Sequence, residues 1–253
     1  MGIRGKGLRR FAMGALGALM TGGLAGTAWA VDGEAVMVHG GNNPAALPCI
    51  TCHGADAKGI AASGFPRLAG LPAAYIVKQL HDFRADRRLN PVMQPIAKAL
   101  TEPEIAGVAE FLAARPRVNV AAAAPTAQPV PGSGEWIALR GAWSRNIPEC
   151  TLCHGPSGLG VGNTFPPLAG QSAAYLESQL WAWKGRSEPG PRQRNGKPGK
   201  PVLIPATRHN DPNGLMAHIA ASLTGAEIKS LAEYFGSMGD SDEPFDDSQH
   251  RLR

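Results

Sequence analysis

Cys49-Ile50-Thr51-Cys52-His53-Gly54 and Cys150-Thr151-Leu152-Cys153-His154-Gly155 are the stretches that decide how this chain is read. Each is C-x-x-C-H, the spacing at which two thiols bond covalently to the vinyl groups of one porphyrin while the adjacent His reaches its iron. The chain has 4 Cys, and the two motifs use all of them. Other uses of paired cysteines fit less well. A thioredoxin-like redox site needs a βαβ setting, and the sequence shows none. A four-thiolate zinc site would leave His53 and His154 without a role. A disulfide framework usually belongs to a much shorter chain. The motifs therefore predict two covalently bound haem c groups.

Outward from the motifs the chain repeats. At an offset of 101 residues, Gly33-Glu34, Gly40 and Gly59 meet Gly134-Glu135, Gly141 and Gly160. At an offset of 100, Phe65-Pro66, Leu68-Ala69-Gly70, Ala73-Ala74-Tyr75 and Gln79-Leu80 meet Phe165-Pro166, Leu168-Ala169-Gly170, Ala173-Ala174-Tyr175 and Gln179-Leu180. At 123, Asn90, Met93, Ile96-Ala97, Leu100-Thr101 and Glu104-Ile105 meet Asn213, Met216, Ile219-Ala220, Leu223-Thr224 and Glu227-Ile228. The second copy thus carries 23 extra residues before its methionine. A repeat this long is a duplicated domain rather than a solenoid unit. The expected boundaries are 31–115 for the first domain, 116–133 for an Ala/Pro-rich linker and 134–238 for the second domain. A basic insertion lies near 185–212, and an acidic tail runs over 239–253.

Each copy reads as a short helical bundle. Thr101-x-x-Glu104 and Thr224-x-x-Glu227 are capping boxes. They open segments with Ile105, Val108, Ala109, Leu112 and Ile228, Leu231, Ala232, Phe235, which is one buried helical face. Tyr75 to Phe83 and Tyr175 to Trp183 suggest a matched pair of helices, and Glu135 to Arg145 another helix. No strand run stands out. Abundant Gly and Pro between the helices lets the chain wrap closely round a flat porphyrin. The expected fold is all-α: two tandem helical domains, each wrapped round one haem.

His53 and His154 are the proximal ligands that the motifs supply. Of the 7 Met, only Met93 and Met216 occupy matching places in the repeat, each within Asn-x-x-Met. A thioether in the sixth position stabilises ferrous over ferric iron. His218 lies two residues beyond Met216, but its counterpart is Pro95. His39, His81, His209 and His250 also lack counterparts and read as surface or core residues. The carbonyls of Pro66 and Pro166 can accept the Nδ1–H of the ligating imidazoles, which would orient the rings and make Nε2 a better donor. Tyr75, Tyr175, Arg84, Trp181, Trp183 and Arg186 are of the types that bond propionates, with no spacing rule to single one out.

Residues 1–30 read as a cleaved secretory signal peptide: a basic start (Arg4, Lys6, Arg9, Arg10), an uncharged run from Phe11 to Ala28, and Ala28-Trp29-Ala30 as the cleavage site. A retained anchor is the alternative, but the run is interrupted by glycines and at the short end for a span. Removing the leader's 4 basic residues takes the chain from 25 Lys+Arg against 20 Asp+Glu to a balance of +1. The pI of about 9.2 is therefore no sign of nucleic-acid binding.

With these residues in place, the mature chain resembles the dihaem cytochrome c4 family. The likeness rests on the paired C-x-x-C-H-G motifs, Phe-Pro-x-Leu-Ala-Gly, Ala-Ala-Tyr-x-x-x-Gln-Leu, and a Met before a final Thr-x-x-Glu-Ile helix. It implies two class I cytochrome c domains facing each other about a pseudo-twofold axis, in a periplasmic electron carrier rather than an enzyme. It implies that Cys49, Cys52, Cys150 and Cys153 hold haem, with His53/Met93 and His154/Met216 as axial pairs. The expected partners are redox proteins: a quinol–cytochrome c oxidoreductase or periplasmic dehydrogenase as donor, a terminal oxidase as acceptor. Nucleic acid is not among them, and membrane association is at most peripheral. Two other readings stay open: an electron-accepting subunit of a periplasmic dehydrogenase, or a dihaem enzyme such as a thiosulfate dehydrogenase, which would need a non-Met or labile sixth ligand on one haem. The chain departs from the family in its long linker and its insertion, where 7 basic residues face 2 acids between Lys184 and Pro212. The insertion and the tail, with 5 acids against 2 arginines, read as solvated loose ends; a charged docking surface is the sharper alternative.

Overall fold

The computed structural model describes residues 1–2, 31–120, 128–194 and 196–239. Residues 3–30 of the leader, 121–127 of the linker and 240–253 of the acidic tail, with His250, fall outside them. Among the described residues no helix is long and apolar enough to cross a membrane.

Asp32 opens the first domain, its Oδ1 accepting from the backbone N–H of Glu34 and Ala35. Five helices follow: α1 (Gly33–His39), α2 (Ile50–His53), α3 (Ala73–Arg84), α4 (Met93–Ala99) and α5 (Glu102–Ala113). The second domain repeats them as α6 (Gly134–Arg140), α7 (Cys150–His154), α8 (Ala173–Lys184), α9 (Leu215–Ser222) and α10 (Gly225–Gly236). The helix expected over 135–145 is shorter than its sequence suggested. Gly141 turns into the left-handed region at φ 70°, a Cβ there would meet the Ile147 carbonyl oxygen at 2.4 Å, and Trp143–Arg145 form a separate 3-10 turn. Gly40 ends α1 in the same way.

In both domains the first helix crosses the last at a glycine. A Cβ on Gly33 would lie 2.0 Å from the Gly107 oxygen, and one on Gly134 would lie 2.1 Å from the Ser230 oxygen. Backbones this close admit no side chain, which explains why both copies hold glycine there. Around the crossings lie the two cores, one built on Met37, Ile105, Val108 and Leu112, the other on Ile137, Ile147, Leu223 and Ile228. Met37 is thus a packing residue. Gly134→Ala is expected to cost about 1–3 kcal/mol through overpacking. Denaturant unfolding of the variant would read this, and an unchanged midpoint would show that the helices can slide apart freely.

Both capping boxes form, each with its Thr side chain accepting the N3 amide and its Glu reaching back to the cap. The glutamates also reach outward. Glu104 accepts from the Asn42 N–H at 2.6 Å, while Glu227 meets Arg145 at 2.6 and 3.0 Å. The Arg145 hydrogen bonds, opposed by burial and helped by Thr224, draw the Glu227 carboxyl from 4.5 down to about 2. A depressed carboxyl gives stability that is full above its unfolded value and is lost as pH falls through its folded one. The second domain should therefore weaken between about pH 4.5 and 2. Glu227→Gln should flatten that part of the profile in urea titrations at stepped pH. A profile identical to wild type would refute the assignment.

No strand was expected, yet a hairpin is present. β1 (Arg186–Gly190) pairs antiparallel with β2 (Gly199–Ile204), with an irregularity between Glu188 and Gly190. Its first strand reads Arg-Ser-Glu-Pro-Gly and has no apolar alternation to mark it in the sequence. The insertion is therefore not a loose end. Beyond the hairpin the chain rejoins the repeat. Thr207 and Arg208 donate their N–H groups to the Ala182 oxygen at 2.8 and 3.0 Å, as Arg87 and Arg88 do to the Asp82 oxygen at 2.9 and 3.1 Å. Asp82 and Ala182 are counterparts at offset 100, whereas Arg88 and Arg208 are 120 apart, so 20 of the 23 extra residues lie before Thr207. These two matched segments pair across the domains: Leu89 N–H donates to Thr207 O at 2.7 Å and His209 N–H to Arg87 O at 2.8 Å.

Candidate functional site

The same small device is built twice. Cys49 at the cap of α2 stands one turn from Cys52, as Cys150 does from Cys153 in α7, so the two thiols of each pair share a helix face, and the His closes the helix. His53 and His154 are buried, 5% and 7% exposed. His53 Nδ1 lies 3.0 Å from Pro66 O, and His154 Nδ1 lies 2.7 Å from Pro166 O. A carbonyl only accepts, so Nδ1 carries the proton and Nε2 keeps its lone pair. Burial, partly offset by these carbonyls, lowers the pKa of both imidazoles. Each is then a neutral ring with one free, oriented donor nitrogen, which is what a metal requires of a histidine. Phe65 and Phe165 stand edge-on to the rings, with centroids 6.2 and 5.9 Å away.

The four cysteines are free and half-buried. Burial pushes the Cys49 thiol up to about 11 and the Cys150 thiol up to about 12. Cys49 and Cys150 are therefore held as thiols, and among the described residues no group of His, Cys, Asp and Glu is placed to hold a bare metal ion. Paired thiols beside a neutral, Nδ1-anchored His fit a covalently attached haem.

The methionines sit at helix starts. Met93 is the first residue of α4 and packs against the first core alongside Cys49 and Ile50. Its amide and that of Val92 donate to Asn90 Oδ1, both at 2.9 Å. Met216 is half-buried in the first turn of α9, but its helix is held differently. Asn213 takes φ 58°, and Asp211 Oδ2 accepts from Ala217 N–H at 3.0 Å. The repeated Asn therefore performs different tasks in the two copies. His218 and His39 are exposed.

Between the domains lies a buried polar cluster that the sequence did not announce. Arg88 stacks on Phe83, 4.5 Å from its centroid, and Arg208 on Trp183, at 3.7 Å; these aromatics are repeat counterparts. Gln79 Oε1 accepts from Arg88 and Asn210, each at 3.0 Å, and more weakly from Arg208 at 3.4 Å. Gln179 Oε1 accepts from Arg88 at 2.7 Å and from Arg208 at 2.9 Å. Arg88 also donates to the Tyr175 hydroxyl at 2.7 Å. Burial and the neighbouring Arg88 lower the Arg208 guanidinium to about 10, still cationic at neutral pH. Asp82 is the nearby anion. Burial pushes its carboxyl up, but Lys78, Asn210 and Arg87 hold it below its ordinary value. The signal that could have found this cluster is the pair of polar residues, Tyr and Gln, kept at matching positions of two otherwise amphipathic helices. A second inter-domain space of about 360 Å³ is bordered by Arg67 and Pro167, the residues that follow the two His-anchoring prolines.

Residues 41–115 match the family model for cytochrome c. The chain is 52% identical over 212 residues to a "Thiosulfate dehydrogenase electron acceptor" of Stutzerimonas stutzeri strain A1501, covering 84% of this chain and 88% of that protein. It is 34% identical over 193 residues to a cytochrome c4 of Thiocapsa roseopersicina, covering 75% of this chain and 86% of that one. The chain belongs to the cytochrome c4 family. It is an electron-carrying cytochrome with covalently held haem c, and the relatives' names are those of carriers rather than of enzymes. Among solved structures, a thiosulfate dehydrogenase of Marichromatium purpuratum superimposes with a TM-score of 0.63 at 36% identity over 81% of this chain. This chain spans 39% of that larger one.

Within this cytochrome c4 fold, the residue types expected to bond propionates divide. Tyr175 and Trp183 enter the inter-domain cluster. Arg84 is taken up by Glu102 and the carbonyls of Ala97 and Leu100. Arg186 pairs with Glu188 at 2.6 Å on the hairpin. The linker's first residues are also engaged: Pro116 O accepts from Arg67 at 2.9 Å, and Val118 is buried.

Proposed function

We propose that this cytochrome carries two haem c groups and takes single electrons from a periplasmic dehydrogenase acting on a reduced sulfur compound. Cys49, Cys52 and His53 would hold the first haem and Cys150, Cys153 and His154 the second, with Met93 and Met216 completing the iron coordination. The haem supplies a one-electron Fe(II)/Fe(III) couple when bound. The protein anchors each imidazole through Nδ1 to Pro66 or Pro166, closes the apolar core against water, and keeps the geometry fixed between oxidation states. The observation that carries this reading is the duplicated His-to-carbonyl hydrogen bond beside paired free thiols. The domains would run over 31–115 and 134–238, joined by the linker 116–133. Residues 1–30 serve as the export signal, since haem c attachment needs a location outside the cytoplasm.

The dehydrogenase reading, rather than a general respiratory shuttle between a quinol–cytochrome c oxidoreductase and a terminal oxidase, draws on the 52% identity to a protein named for accepting electrons from thiosulfate dehydrogenase. The test is stopped-flow reduction of the purified holoprotein by a thiosulfate dehydrogenase and thiosulfate, after pyridine haemochrome analysis of haem per chain. Two haems per chain and rapid reduction of both are expected. One haem per chain would sink the dihaem assignment. Two haems reduced no faster than by thiosulfate alone would turn the reading towards the general shuttle.

A further inference from the structure

The carbonyl that anchors His53 belongs to the Pro66–Arg67 peptide, and the N–H of that same peptide donates to Gln171 Oε1 at 2.9 Å. Gln171 Nε2 returns a bond to Arg67 O at 3.0 Å, so its amide grips Arg67 from both sides. Both residues are buried and stand 104 positions apart in sequence. Gln171 belongs to the second domain; its Oε1 also accepts from Ser172 N–H at 3.1 Å. The result is one continuous chain: imidazole Nδ1–H to peptide oxygen, peptide N–H to the Gln171 amide. Bonds in such a chain polarise one another. A peptide that donates at nitrogen is a stronger acceptor at oxygen, so it draws the Nδ1 proton further and makes the His53 ring more electron-rich at Nε2.

The second domain cannot reproduce this. His154 is anchored by Pro166 O, but the next residue is Pro167, whose nitrogen has no proton. The position matching Gln171 is Leu71, which is apolar and buried. The absence of the bond in the second domain is written into covalent structure, since the Pro167 nitrogen has no proton to donate.

We propose that Gln171 is a positioning residue for the first haem: reaching from the second domain, it tunes the donor strength of His53 and so makes the potential of that haem depend on domain docking. A more electron-rich imidazole favours the ferric state, so docking lowers the first potential and leaves the second untouched. This rests on the reading of His53 as an iron ligand.

The test is potentiometric titration of the full dihaem protein, comparing wild type with Gln171→Met, which fills the space without the amide, and Gln171→Leu, which copies the counterpart position. Haems are assigned by nuclear Overhauser contacts to Phe65 and Phe165. At a potential fixed at the wild-type midpoint of the first haem, its Fe(II)/Fe(III) ratio should rise about two- to tenfold in both variants, the range of one modest hydrogen bond. The ratio of the second haem should stay the same. The His53 ring N–H resonance of the reduced protein should move upfield, as a weakened hydrogen bond requires. No shift, a fall in the ratio, or equal shifts on both haems would overturn the proposal, the last indicating general loosening of the interface. Absence of any first-haem signal in the wild-type protein would instead defeat the assignment of His53 as a ligand.

Discussion

Replacing Met216 with His should lower the potential of the second haem by a substantial part of the roughly 0.8 V over which axial ligands set haem potentials, with the first haem unchanged. A soft thioether favours ferrous iron, whereas a second imidazole is a stronger σ-donor to the ferric state. The iron should remain low-spin, and the far-red Met–Fe(III) charge-transfer band should fall to half its wild-type intensity per chain. Potentiometry with near-infrared spectroscopy reads both effects. Met216 is half-buried in the first turn of α9, while the competing His218 is exposed. His218→Ala should accordingly leave the band intact. A full band in the Met216 variant, or its loss in the His218 variant, would move the ligand assignment.

Gln179→Leu should open the interface between the domains. Gln179 Oε1 is a shared acceptor for Arg88 and Arg208, both buried. Its loss leaves two buried guanidinium groups short of a partner, at a cost of about 3 kcal/mol. Neighbouring positive charges make the cost larger than for a neutral donor, since Arg88 already pushes the Arg208 guanidinium down. Gln179→Glu should act in the opposite sense, because a carboxylate there would sit between two cations. Calorimetry would show the leucine variant unfolding in two separated transitions and the glutamate variant in one. A single unaltered transition for Gln179→Leu would mean that the backbone pairing of Leu89 with Thr207 and His209 with Arg87 holds the domains without the arginines.

The interface arises from the same duplication that made the haem motifs legible, yet only part of it was visible in advance. Gln79 and Gln179 align in the sequence, as do Phe83 and Trp183. Arg88 and Arg208 do not, because the hairpin shifts the register by 20 residues between them. Their equivalence emerges only when the backbone bonds to Asp82 and Ala182 are seen to match. The hairpin leaves no mark in the sequence because exposed strands need no apolar alternation; Leu203, at 76% exposed, contributes nothing to a core.

What the sequence determined by itself is whatever acts within a turn or two of chain, the cysteine–histidine spacing and the capping boxes at Thr101 and Thr224, together with the duplication, which alignment of the two halves reveals and which sets Met93 and Met216 at matching places among seven methionines. The spacing and the caps are local because covalent geometry and the helical period fix which groups can meet. Tertiary structure decided the rest. It settled that Nδ1 of each histidine is spent on a proline carbonyl, that two arginines share two glutamines, and that Gln171 grips the peptide behind His53. The fold of each domain closes the histidine bonds, across 13 and 12 positions, whereas the grip of Gln171 on Arg67 and the bonds of Arg88 to Gln179 and of Arg208 to Gln79 span 91 to 129 positions and form only because one domain packs against the other.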